Sequence, residues 1–254
     1  MIMNLTYLDS NSWLIEIDGS RILVDPWLVG KLTFGNQAWL FEGSKNNPQP
    51  IPENVDLILL SQGLEDHAHP PTLRELDKNI PVVASPNAAK VVRELGYNKI
   101  TALQHQESYQ LGQISIKAVP GSPVGPTLVE NGYLIQGLES GKKIYYEPHG
   151  YHADSLKESA PIDVIITPII NLKLPLLGAV IKGQETALKV CKQLNPQVIL
   201  STAAGGDLTF KGLIISILSA EGTVEDFNRL LEQNNLATKA IDPQSGKTIE
   251  LSLV

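Results

Sequence analysis

The stretch Val55-Asp56-Leu57-Ile58-Leu59-Leu60 ends in four consecutive large apolar residues. A strand without polar alternation is one that is covered on both faces, the signature of a sheet packed between two other layers. The chain is long enough for that arrangement. Its 254 residues are 43% hydrophobic, enough for one large core or two small ones. Only 19% are charged, which excludes disorder along the whole chain.

Around this strand the chain alternates in a regular way. Leu5 to Leu8 and Trp13 to Ile17 are short β-rich runs, and Asp18-Gly19 turns the chain into Arg21 to Val24, a hairpin signal. The resulting meander stops at Asp25-Pro26-Trp27. Residues 28 to 54 are rich in Gly, Asn and Pro and read as a long excursion with a short helix near Ala38 to Phe41. After Leu60, helices are expected over Thr72–Lys78 and Asn87–Leu95 with a strand at Pro81–Ala84 between them; Pro86 starts the second helix and Gly96 stops it. Strands follow at Ile114–Val119, Gly132–Ile135, Lys143–Tyr146, Asp163–Thr167 and Val198–Leu200, with helices at Gln184–Leu194 and Val224–Gln233. A last hairpin is expected around Gln244-Ser245-Gly246. Two halves of similar plan imply two mixed sheets with helices outside. No linker divides residues 1–254, which read as one domain.

Charge and targeting signals narrow the function. A formal net charge of −7 and the lack of any dense Lys/Arg run exclude a general nucleic-acid binder. The lone cysteine, Cys191, sits in an amphipathic helical stretch and reads as a packing residue in a reducing, cytoplasmic setting. Met1 to Thr6 carry no signal-peptide pattern. The most apolar stretch, Ile169 to Ile181, is broken by Asn171, Lys173, Pro175 and Gly178 and is too short to span a membrane.

The chemistry concentrates at two strand ends. Four of the five histidines fall in Asp66-His67-Ala68-His69 and in Glu147-Pro148-His149 through His152, each window directly after an expected strand. Strand ends are where ligands collect in α/β proteins. Imidazole and carboxylate together suit zinc, iron or manganese. Two such clusters point to one shared site, and polar loops with hydrogen-bonded histidines are the alternative.

The chain resembles the metallo-β-lactamase-fold hydrolases. Asn11-Ser12-Trp13-Leu14-Ile15-Glu16 and Ile22-Leu23-Val24-Asp25-Pro26-Trp27 look like the opening of that family. Leu57 to Ser61 precede the position of its Ser/Thr-His-x-His-x-Asp-His signature, and Ile144-Tyr145-Tyr146-Glu147 match the strand before its metal-bridging aspartate. The likeness covers nearly the whole chain and is greatest to the branch related to ascorbate-lactone hydrolases. It implies a four-layer αβ/βα sandwich.

The departures bear on the metal. Gln62 and Leu64 stand where the first two metal histidines belong, Val119 to Pro123 lack a third, and Ser201-Thr202-Ala203-Ala204 lack the last. His149 falls at the bridging-aspartate position. A conventional two-zinc centre is excluded, since leucine cannot ligate and glutamine is a poor substitute for imidazole. A rearranged site for one divalent cation remains, with Asp66, His67 and His149 as first-choice ligands and His69, Glu147 and Asp207 in reserve. Glu147 could equally be a solvated strand-end carboxylate and Asp207 a turn residue. Asp25 is expected to fasten its loop through backbone N–H groups.

Two functions follow. One is a metal-dependent hydrolase of a small ester, lactone or phosphoester, with zinc, manganese or iron as the cation and Asp66 or Glu147 orienting the attacking water. The other is a non-catalytic descendant that binds a ligand or partner. The apolar segments Ile169–Ile181 and Gly212–Ala220 could line a ligand pocket, form a homo-oligomer interface or belong to the core.

Overall fold

In the strand Leu57–Leu60 the side chains divide between two cores. Leu57 and Leu59 enter the apolar cluster between two sheets, while Ile58 and Leu60 pack with Leu73, Ala88, Ala89 and Val92 of the helices on the other side. The unbroken apolar run is therefore covered on both faces, as the sequence requires. The computed structural model describes residues 3–124, 128–175, 178–203 and 205–253. Met1-Ile2, Leu176-Leu177 within the apolar stretch, and Ala204 lie outside the described residues.

Two seven-stranded mixed sheets face one another. The first runs, in spatial order, through Thr248–Leu251, Met3–Tyr7, Trp13–Ile17, Ser20–Val24, Leu57–Leu60, Val82–Ala84 and Ile100–Ala102. The second runs through Lys239–Ile241, Val198–Leu200, Val164–Ile166, Lys143–Tyr146, Leu128–Gly137, Ile114–Val124 and Ser108–Leu111. Between them lie Trp13, Ile15, Val24, Tyr133, Ile144 and Tyr146 among others, all fully buried. Helices Pro70–Glu75 and Pro86–Glu94 cover the outside of the first sheet. Helices Gln184–Leu194 and Val224–Gln233, both where the sequence places them, cover the second. Cys191 packs in this outer layer, and burial pushes its thiol up to about 12, as expected of a packing cysteine. The architecture is the four-layer αβ/βα sandwich.

Several local expectations change. Residues Gln37 to Phe41 make a single turn, with the Leu40 and Phe41 amides donating to the Gln37 carbonyl, in place of a helix. The excursion instead forms a small sheet in which Glu42–Lys45 lies between Leu32–Thr33 and Leu208–Lys211. A second small sheet joins Gly178–Ile181, Asn171–Leu174 and Ser219–Glu221. The C-terminal hairpin does not form. Lys239–Ile241 pairs in parallel with Val198–Leu200 in the second sheet, whereas Thr248–Leu251 pairs antiparallel with Met3–Tyr7 in the first. The Gln244-Ser245-Gly246 turn thus carries the chain from one sheet to the other. Among the described residues no helix is long and apolar enough to cross a membrane.

Candidate metal centre

The loop after Leu60 and the loop after Tyr146 meet at one edge of the sandwich. Asp66, His67 and His149 each bring a ligand atom to within 4.8 Å of the others. The His67 and His149 rings lie 5.1 Å apart, centroid to centroid, tilted by 54°. The expectation that the two windows share one place is met.

Each histidine has a carboxylate behind it. His67 is fully buried, and its Nδ1 lies 2.7 Å from Asp25 Oδ2. His149 Nδ1 lies 2.7 Å from Glu130 Oε1. With each Nδ1–H donated backwards, each Nε2 is left with its lone pair, which is the tautomer a metal ligand needs. His67 Nε2 faces Asp66 Oδ2 at 3.1 Å and Asn11 Nδ2 at 3.3 Å. A lone pair facing a carboxylate oxygen is stable only with a proton or a cation between them.

Asp25 is the anchor of this arrangement. Its Oδ1 accepts the Ser61 amide at 2.8 Å. Its Oδ2 accepts Ser61 Oγ at 2.5 Å and Tyr146 Oη at 2.6 Å, besides His67. The backbone role expected of Asp25 is present, but the residue also ties the second sheet, through Tyr146, to the first. It sits at φ 41°, in the left-handed region that a non-glycine residue occupies only when its surroundings hold it there. His149 is fixed from its backbone: its carbonyl accepts the Lys182 amide at 3.2 Å. The next residue, Gly150, has φ 77°, and a Cβ there would lie 1.8 Å from the Lys182 carbonyl oxygen, so only glycine fits.

The electrostatics follow from this packing. Burial works to lower the His67 pKa, but the charges of Asp66 and Asp25 and their hydrogen bonds outweigh it and hold it well above the usual range. Burial would raise Asp66, yet the charges of His67 and His149 keep it below the usual carboxylate range. Glu147 behaves in the opposite way. Burial first, and the neighbouring Glu130 charge second, push it far up, despite the Tyr151 amide that donates to its Oε2 at 2.7 Å.

The donor set fits a divalent cation. It offers two imidazoles and one carboxylate, and Asp66 Oδ1 has no hydrogen-bond partner among the described residues. Three protein ligands with a further position left for water is the pattern of a catalytic zinc site.

Two expected site residues, His69 and Asp207, stand outside this cluster, and Glu147 lies in a second one. His69 caps the helix Pro70–Glu75: its Nδ1 lies 2.9 Å from Thr72 Oγ1, and its Nε2 lies 3.1 Å from the Lys31 carbonyl oxygen. Both nitrogens are engaged in hydrogen bonds, and His69 joins neither group of possible metal-ligand atoms among the described residues. Asp207 accepts from Asn46 Nδ2 at 2.9 Å and Asn47 Nδ2 at 2.5 Å, which lower its pKa and make it a clasp between strands. Glu147 is not solvated but fully buried; with Glu130 and His149 it forms a second set of possible metal-ligand atoms within 4.8 Å of one another. Sequence reasoning misses Glu130; an acid inside the strand Leu128–Gly137, followed by the equally buried Asn131, is the only signal the sequence offers. Gln62 is buried and Leu64 is exposed, and neither provides the ligands lost there.

Asp66 and His149 open into a cavity of about 400 Å³. Phe34, Phe41 and Phe210 form a run of ring contacts along it, with centroids 5.0 and 5.6 Å apart. Leu172, Leu174 and Ile214 contribute further wall. From the two apolar segments whose role the sequence left open, Leu172, Leu174 and Ile181 of the first and Ile214, Ile215 and Leu218 of the second line this cavity, while Ile169 packs in the core.

Known proteins share this plan. A metal-dependent hydrolase designated UPF0173 in Methanopyrus kandleri is 23% identical over 256 residues, covering 98% of this chain and all of that one. Igni18, a metallo hydrolase of Ignicoccus hospitalis, superposes with a TM-score of 0.70 at 17% identity over 99% of both chains. An isothiocyanate hydrolase from Delia radicum gut bacteria gives 0.71 at 17% identity over 99% of this chain and 100% of that one. At such identities the structural likeness speaks for the fold. The family model described as the β-lactamase superfamily domain matches residues 4–203. With that match and a four-layer sandwich carrying its metal-type residues at one edge, the chain belongs to the metallo-β-lactamase-fold superfamily.

Proposed function

We propose that the protein is a metal-dependent hydrolase working with one divalent cation, zinc first and manganese or iron as alternatives, held by Asp66, His67 and His149. The observation that carries this is the pair of carboxylate-backed histidines, Asp25–His67 and Glu130–His149, each 2.7 Å long and each leaving an Nε2 for ligation. The relatives named as metal-dependent hydrolases point the same way.

A cation held there supplies positive charge that acidifies water and polarises an ester, lactone or phosphoester oxygen. The chain's residues do the rest. Asp25 and Glu130 keep the two imidazoles in the ligating tautomer. Asp66, which lines the cavity and whose buried Oδ1 has no hydrogen-bond partner among the described residues, orients the attacking water and takes its proton. The apolar walls exclude bulk water. Glu147 supports His149 and Glu130 from behind.

The replacement of two signature histidines by Gln62 and Leu64 favours a second reading, a binding protein that keeps the pocket without turnover. Elemental analysis of protein purified without added metal, run beside His67→Ala and His149→Ala and followed by assays on esters, lactones and phosphodiesters, decides between them. The expected result is close to one cation per chain and turnover lost in both variants. Full loading with no turnover favours the binding protein. A stoichiometry of two would overturn the single-cation site.

A further inference from the structure

We infer that the substrate is an amphiphile whose single reacting polar group sits at Asp66 and His149 and whose apolar chain or ring system fills the cavity. This rests on the hydrolase reading above and adds the class of molecule it acts on.

The lining carries the inference. Its polar side chains are Ser10, Asn11, Asp66 and His149, which belong to the metal cluster or to the loop that touches His67. Every other lining residue among those described is apolar, and no lysine or arginine among them reaches the cavity. A sugar lactone would leave its hydroxyl groups without partners there, and a nucleotide would leave its remaining phosphate charge without a counter-charge; both are costly in an apolar pocket. A hydrocarbon meets none of these penalties, and about 400 Å³ is within the range of small-ligand sites.

The surface continues the same chemistry outward. The short helix Leu213–Ile217 sends Ile214 and Ile215 to the cavity and leaves Leu213 and Ile217 exposed. Trp39, 66% exposed, lies beside it, its carbonyl accepting the Leu213 amide at 3.1 Å. An apolar chain therefore meets apolar surface both outside and inside. For an ester substrate, the water oxygen bonds to the acyl carbon, the bond from that carbon to the alcohol oxygen breaks, and the departing oxygen takes up a proton, giving a carboxylic acid and an alcohol.

The test is a chain-length series. The metal-loaded protein is assayed on p-nitrophenyl acetate, butyrate, octanoate and decanoate, and decanoic and butyric acids are titrated by calorimetry. The kcat/KM should rise about fourfold for each added methylene until the cavity is full. Ile214→Trp, which fills the cavity, and Leu174→Asn, which makes its wall polar, should each cut the octanoate-to-acetate ratio at least tenfold and weaken decanoic acid binding. Thermal melting checks that both variants fold, and the two substitutions lie on different elements. Ester hydrolysis with no chain-length preference overturns the amphiphile inference and leaves the hydrolase reading standing. Decanoic acid binding that Ile214→Trp abolishes, with no ester, lactone or phosphodiester hydrolysed, supports the apolar specificity and removes the hydrolase reading. Failure to bind decanoic acid better than butyric acid overturns the inference outright.

Discussion

His67 Nδ1 lies 2.7 Å from Asp25 Oδ2, a contact that joins residues 42 positions apart and fixes which ring nitrogen faces Asp66. Because Asp25 also receives Ser61 and Tyr146, its carboxylate sets the position of His67 and the alignment of the two sheets at once. Asp25→Ala should destabilise the fold by about 3–5 kcal/mol, the range for breaking a buried charge pair. Glu130→Gln touches only one histidine of the cluster and should preserve the fold while weakening cation binding about 10–100-fold. Denaturant melts and metal titrations of the two variants separate these effects.

Cation binding should be visible as stability. A ligand that binds only the folded state adds about 2.7 kcal/mol at one hundred times its Kd. Saturating zinc should therefore raise the melting temperature of the wild type, and chelator should lower it. His67→Ala should melt at the same temperature in both conditions. A wild-type melt indifferent to chelator and to zinc, manganese and iron would remove the metal site.

The raised pKa of His67 gives the pH dependence. A cation needs the neutral imidazole, so it must displace the proton that Asp66 and Asp25 hold on the ring. Below the folded pKa of His67, cation affinity should rise up to about tenfold per pH unit, with one proton released per cation. The metal-free protein behaves in the opposite sense. A histidine whose pKa is raised by folding contributes stability that is complete below its unfolded pKa and is lost as pH rises through the folded value. Stabilisation by metal should then grow with pH as that of the proton fades. Calorimetry in buffers of different ionisation enthalpy counts the protons, and an affinity flat in pH would contradict the assignment of His67 as ligand.

Gly150 offers a backbone test. Its φ is 77°, and a methyl group on its Cα would sit 1.8 Å from the Lys182 carbonyl oxygen, so Gly150→Ala must move the loop that carries His149. The strain alone is worth about 1–3 kcal/mol, and the displaced imidazole should lower cation affinity further. Gly141, also at positive φ but with open space around it, is the control; alanine there should leave cation binding unchanged.

The layers were legible because they follow from side-chain periodicity. Leu57 to Leu60 announce a doubly covered strand, and the helices Gln184–Leu194 and Val224–Gln233 carry apolar stripes, the second with Thr223 as its N-cap. The pairing of Asp66 and His67 with His149 was legible because strand ends of facing sheets converge. Nearness along the chain misleads at His69. His69 is two residues from His67, yet the helix that begins at Pro70 turns it toward Thr72 as a cap. Glu130 is marked in the sequence only by the polar Asn131 beside it, and the register of its strand against Lys143–Tyr146 brings it under His149. Asp25 was legible as a backbone anchor; its partnership with His67 depends on a fold that no local pattern encodes.

The strand Thr248–Leu251 pairs along Met3–Tyr7, with Met3 opposite Leu251. A ribosome makes Thr248–Leu251 long after Met3–Tyr7. Until the last one emerges, Met3–Tyr7 has a neighbour on one side only and presents an open sheet edge to every other chain nearby. The first sheet is thus finished last, and contacts of such sequence separation make for slow folding. Nascent chains stalled short of residue 248 should be the species that chaperones hold and that aggregate when they are not held.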